Sequence, residues 1–221
     1  MKKVICLLGI VGAGLWTPVW ASPTSYSGSL SHADGSLVVG GQIWTFPGTT
    51  LSWVVTDNGS GQWHYQYTFN VPGGSIGCVI IEASPTFEDD NMLSVTSEPT
   101  SDHSVDTFLT ANHPSMPASM YGIQFCLTID PTMLVIDFDS DRDPVWGDFY
   151  ANGYFSGGLL LNYAYNAGFL TPDPLVGPHN GSEQDHLLVP DTTSKVPVPG
   201  AILLAGLGAA LVGQLRRRRV L

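Results

Sequence analysis

Between its two ends the chain has almost no basic residues. Lys2, Lys3 and Arg216, Arg217, Arg218 and Arg219 are six of the eight, which leaves Arg142 and Lys195 for everything in between. All 19 acidic residues lie in that middle stretch, so 19 less 2 gives 17 net negative charges there, against −11 for the whole chain. Ligands rich in phosphate are bound through clustered Lys and Arg, so the composition disfavours nucleic acid as a partner. What remains is a body suited to solubility in salt or to cation binding.

Sustained helical periodicity is missing between Ser22 and Lys195, as is any internal repeat. The histidines at 32, 64, 103, 113, 179 and 186 show no close ligand spacing, and only His103 and His113 share a loop, so no zinc motif is expected. Cysteine is also scarce. Cys6 lies in the leader described below, leaving Cys78 and Cys126, both in apolar strand-like runs. In an oxidising compartment they would form a disulfide, and as free thiols they would be small buried hydrophobes. The sequence leaves both readings open.

The N-terminus reads MKKVICLLGIVGAGLWTPVWA: two lysines, an apolar run from Val4 to Trp16, then Val19 and Ala21 where a signal peptidase inspects the chain. This is the pattern of a secretory signal peptide over 1–21, cut after Ala21, with an apolar run too short for a first membrane span. At the other end, Ala201 to Leu215 is apolar and about 22 Å long as a helix, barely enough to cross a bilayer. By the positive-inside rule, Arg216, Arg217, Arg218 and Arg219 hold the chain end in the cytoplasm and place the body outside. Pro197, Pro199 and Gly200 keep the helix from running back into the body.

The tail over 196–221 resembles the PEP-CTERM sorting signal: a short proline motif, an apolar helix and a terminal arginine cluster. Here the motif stands as Val196-Pro197-Val198-Pro199-Gly200, a variant without the glutamate of the commonest version. The resemblance covers about 26 residues and implies recognition by an exosortase-like sorting enzyme, cleavage near the motif, and delivery to the cell envelope or an extracellular polysaccharide matrix. It implies nothing about the activity of the body.

That body, 22–195, is expected to be one all-β domain, an antiparallel β-sandwich of jelly-roll or immunoglobulin-like kind, between a signal helix and a transmembrane helix. Its clearest strand is Gln62 to Val71, where Trp63, Tyr65, Tyr67, Phe69 and Val71 alternate with polar residues and read as a core face. With Thr50 to Thr56 and the turn Asp57-Asn58-Gly59-Ser60-Gly61 it predicts a hairpin. Further strands are expected at Ser36–Phe46, Ile76–Ala83, Tyr121–Ile129, Met133–Asp139, Val145–Ala151 and His186–Val189, with long surface loops over Ser84–Pro117 and Asn166–Asp185.

Three patterns bear on chemistry. Gly73-Gly74-Ser75-Ile76-Gly77 matches the Gly-x-Ser-x-Gly of hydrolase nucleophile elbows, but a strand rather than a helix follows it, so no nucleophile is expected. Asp137, Asp139, Asp141 and Asp143 alternate, with Asp148 close by, and would lie on one side of a continuous strand as a calcium site or as a solvated strand end. Arg142 at the sixth position and the lack of a closing glutamate separate this run from an EF-hand loop. Trp44, Trp53, Trp63 and Trp146, with Tyr65 and Tyr67, would make either a sugar-stacking platform or a core. The expectation is a non-enzymatic envelope or matrix protein, with a carbohydrate- or calcium-binding module as the alternative and a secreted hydrolase as the weaker one.

Overall fold

A computed structural model describes residues 24–41, 43–155 and 159–194. The signal peptide, the proline motif, the apolar tail and the arginine cluster lie outside the described residues. Among the described residues no helix is long and apolar enough to cross a membrane.

Among the described residues, thirteen strands and one short 3-10 turn (Asp89–Asn91) build the body. One sheet has the order β1 (Ser25–Ser31), β3 (Thr50–Asp57), β4 (Trp63–Asn70), β9 (Met133–Ser140), β6 (Met92–Glu98). The other runs β2 (Leu37–Gly40), β12 (Leu159–Asn166), β11 (Phe149–Phe155), β5 (Cys78–Glu82), β8 (Met120–Cys126), β7 (Asp102–Phe108). All their pairings are antiparallel. A two-stranded ribbon, β10 (Arg142–Gly147) with β13 (Leu187–Ser194), touches strands of both sheets. The architecture is an all-β sandwich.

The period-two pattern of β4 does what alternation requires: Trp63, Tyr65, Tyr67 and Phe69 are buried, while His64, Gln66, Thr68 and Asn70 look outward. Phe69 meets Phe149 of the opposite sheet at 5.2 Å between ring centroids, and Phe138 meets Phe125 at 6.5 Å. A tyrosine hydroxyl taken into such a core needs an acceptor. The ribbon supplies two: Tyr65 donates to the Arg142 carbonyl and Tyr67 to the Leu188 carbonyl, both at 2.8 Å. A smaller cluster of Ile80, Phe108, Met116, Met120, Tyr150 and Phe169 stands apart from this core. There the Tyr150 hydroxyl donates to the Pro114 carbonyl of the 109–119 loop, at 2.7 Å.

The predicted hairpin forms as β3 and β4, closed by Gly59 and Gly61 at positive φ. Other expectations need correction. Only Leu37–Gly40 of the Ser36–Phe46 run is a strand, because the chain turns over 43–48 and buries Trp44. Val145–Ala151 is two strands that part at Asp148. The expected loop Ser84–Pro117 contains β6 and β7, one edge strand of each sheet. Both are mostly exposed and polar, so they carry no alternation of apolar residues.

Candidate functional site

The acidic run is split. Asp137 and Asp139 look outward from β9, Asp141 sits at the turn, and Asp143 belongs to the ribbon, so the four do not share one strand face. His64 lies across β9 with Nδ1 2.9 Å from Asp139 and Nε2 3.5 Å from Asp137, which also accepts the Gln66 amide at 2.8 Å. Asp141 accepts from the Asn91 amide at 3.1 Å, and Asp143 from the Trp63 indole at 2.8 Å. Asp137 and Asp139 thus share His64, while Asp141 and Asp143 are held elsewhere, and the four are not brought to one point.

Six aromatic rings are accounted for in the same way. Trp44, Trp53, Trp63, Trp146, Tyr65 and Tyr67 are all buried, so none is available as a sugar-stacking platform. Ser75 is buried as well, and it precedes strand β5 rather than a helix. Cys78 and Cys126 stand directly opposite each other in the β5–β8 ladder, 4.1 Å apart at Cα, and are joined as a disulfide. The flanking pair is hydrogen-bonded, Leu127 N–H to the Gly77 carbonyl at 2.8 Å, so the cysteines occupy a non-hydrogen-bonded position, where side chains lie closest.

A different set of residues converges where the ribbon meets the six-stranded sheet. Asp148 fills the break between β10 and β11, beside Glu82 at the end of β5. The Asp148 N–H donates to the Glu82 carboxylate at 2.7 Å, and the Glu82 N–H donates to the Asp148 carbonyl at 3.0 Å. Gly147 makes this approach possible, since a Cβ there would lie 2.8 Å from that carboxylate oxygen and 2.5 Å from Val189. Asn166, fully buried at the end of β12, donates to Asp148 Oδ1 at 2.8 Å and accepts the Phe149 N–H at 2.9 Å.

His186 enters from the turn before β13 and is 0% exposed. Its Nε2 lies 3.6 Å from Asp148 Oδ1 and 3.6 Å from Asp173 Oδ1, yet makes no hydrogen bond. Asp173 stands between Pro172 and Pro174, whose fixed φ limits the reach of the segment, and its side chain is 48% exposed. Ligand atoms of Asp148, Asp173 and His186 all fall within 4.8 Å of one another, the one such group of three among the described residues. The turn that delivers His186 holds Gln184 and Asp185 at φ of 48° and 61°, a left-handed pair with no glycine.

The carboxyl groups register this crowding. Loss of water pushes Glu82 up to about 8, with the charges of Asp173 and Asp148 adding to it. Burial likewise raises Asp148 to about 6, against the Asn166 hydrogen bond and His186, which pull it down. Asp173 is raised by partial desolvation, and His186 opposes the shift. A cavity of about 130 Å³ adjoins the group, with Glu82, Asp173, Trp146 and Val189 in its walls.

No family model, curated protein or solved structure matches the chain. In the sequence Asp148 stands beside the acidic run, Asp173 falls in the expected surface loop Asn166–Asp185, and His186 is one of the histidines without close ligand spacing, so nothing groups the three. The only local signal was an aspartate clamped between prolines.

Proposed function

We propose that this chain is an exported, non-enzymatic component of the cell envelope or extracellular matrix, sorted by an exosortase-like enzyme after signal peptidase removes 1–21. The observation that carries the reading is the Cys78–Cys126 disulfide, because such bonds persist outside the reducing cytosol. It agrees with the leader and the tail without depending on either. The surplus of acidic residues over Arg142 and Lys195 suits a body presented to an aqueous, ion-rich exterior. Val196-Pro197-Val198-Pro199-Gly200 is then the sorting motif, Arg216 to Arg219 the membrane stop, and polysaccharide the surrounding material. Within the sandwich class a jelly-roll is favoured over an immunoglobulin-like arrangement, because β1 and β2, β4 and β5, β6 and β7, and β8 and β9 each lie in opposite sheets.

Mass spectrometry of both ends of the full chain tests the proposal, after expression in a bacterium with an exosortase system and in the same strain lacking the enzyme. The expected product begins at Ser22 in both, and loses Arg216 to Arg219 only where the enzyme is present. A chain recovered from the cytoplasm with Met1 in place and reduced cysteines overturns it.

A further inference from the structure

We propose that Asp148, Asp173 and His186 bind a divalent metal ion of the zinc class, with water from the adjoining cavity completing its coordination. The unpartnered nitrogen points to it. Nδ1 of His186 lies 3.2 Å from the Glu183 carbonyl, which can only accept, so Nδ1 carries a proton and Nε2 faces the two carboxylates. A bare Nε2 would turn its lone pair toward two anionic oxygens in a site closed to water on the histidine side. At 3.6 Å from each, the nitrogen is too far for a hydrogen bond. Ligand atoms about 2.05 Å from a shared tetrahedral ion stand about 3.3 Å apart, close to the 3.6 Å from Nε2 to each carboxylate oxygen, and all three ligand atoms lie within 4.8 Å of one another.

The surroundings are those of a metal ligand set. Asn166 orients the Asp148 carboxylate and the Glu183 carbonyl orients the His186 ring, the outer contacts that fix first ligands around a metal. Among the described residues no lysine or arginine pairs with Asp148 or Asp173, and the Arg142 guanidinium bonds Thr86 and Asn91. The imidazole nitrogen selects against calcium and magnesium, which favour oxygen alone. Asp173, half-exposed and in the cavity wall, gives the ion its route from solvent. His64 offers no equal site, because its two nitrogens face different aspartates at an open surface. The metal site stands whether or not the chain is sorted to the envelope.

Asp173 carries the test, because it is half-exposed while His186 is fully buried. The full chain, purified in detergent and stripped with EDTA, is titrated with Zn²⁺ while its melting temperature is followed, and separately with Co²⁺ while its visible absorption is recorded. At hundredfold excess over Kd the midpoint is expected to rise by about 5 °C. Asp173→Asn should fold with an unchanged circular dichroism spectrum, bind Zn²⁺ at least tenfold more weakly and lose the Co²⁺ absorption, while His64→Ala keeps both. The proposal is overturned if Zn²⁺ moves nothing. It is equally overturned if the shift survives Asp173→Asn, disappears in His64→Ala, or is matched by Ca²⁺ and Mg²⁺.

Discussion

Two places in this molecule set one histidine between two aspartates, and they behave as different chemistry. His64 lies on the outer face of β4, 43% exposed, and gives each aspartate its own nitrogen, 2.9 Å to Asp139 and 3.5 Å to Asp137. His186 is fully buried and turns a single nitrogen toward both Asp148 and Asp173, bonding to neither. At the surface, water competes for every contact and the ion pair contributes little. In the interior each charge must be answered by the protein or by something it binds. Residue type alone therefore does not separate a solvated cluster from a site. Burial and the direction of a lone pair do.

The largest expected effect breaks the buried member of the pair. His186→Ala removes a fully buried ring and opens a cavity against Gly168, so it should destabilise the metal-free protein by about 3 kcal/mol. The same change at His64 should cost about 0.5 kcal/mol. Guanidinium unfolding of both variants, with chelator present, checks the contrast. Equal losses would mean that burial is not what distinguishes the two clusters.

A subtler break moves the ring without removing it. A Cβ at Gly168 would lie 2.5 Å from His186 Cε1 and 2.6 Å from the Gln184 carbonyl oxygen, so Gly168→Ala must displace the imidazole or the turn. Overpacking of this kind costs about 2 kcal/mol, and with the nitrogen re-aimed Zn²⁺ affinity should fall about tenfold. A variant as stable as the parent, with intact affinity, would show that the ring position is not fixed from that side.

The turn itself sharpens the comparison in the opposite direction. Glu183 and His186 bridge across Gln184 and Asp185, both left-handed, where a two-residue hairpin prefers Asn-Gly. Asp185→Gly removes a left-handed penalty and should stabilise the fold by about 1 kcal/mol, read as a raised melting midpoint. A lowered midpoint would mean that the Asp185 side chain contributes more than its backbone strain costs.

Legibility followed burial in the same way. β4 was readable because one face is core and the other is wet, and the Asp57–Gly61 turn because left-handed positions call for Gly and Asn. Cys78 and Cys126 could be located but not paired, since their bond depends on the register of β5 against β8. β6 and β7 were hidden because these edge strands are mostly exposed and polar and pack through only Met92, Val95, Val105 and Phe108, too few to show an apolar alternation. The Asp137–Asp143 run was conspicuous because exposed acids cluster locally. Asp148, Asp173 and His186 were not, because a break between strands, a proline-bounded loop and a turn from separate parts of the chain meet only in the folded state.

A third histidine gives the smallest effect and extends the contrast to a ring with no carboxylate. His113 packs edge-on to Phe108 at 5.5 Å and to Tyr150 at 5.9 Å, its Nδ1 buried without a hydrogen bond. Burial pushes its pKa below the ordinary 6.5. Between 6.5 and that lowered value the unfolded chain takes up the proton before the folded one, so stability falls as the pH drops through this window. His113→Leu should remove that part of the acid slope and leave the contributions of the carboxylates and the other histidines in place. Subtracting the melting-temperature profiles of parent and variant isolates it. A flat difference below pH 6.5 would mean that water reaches the ring and that the packing around Tyr150 opens more readily than the main core.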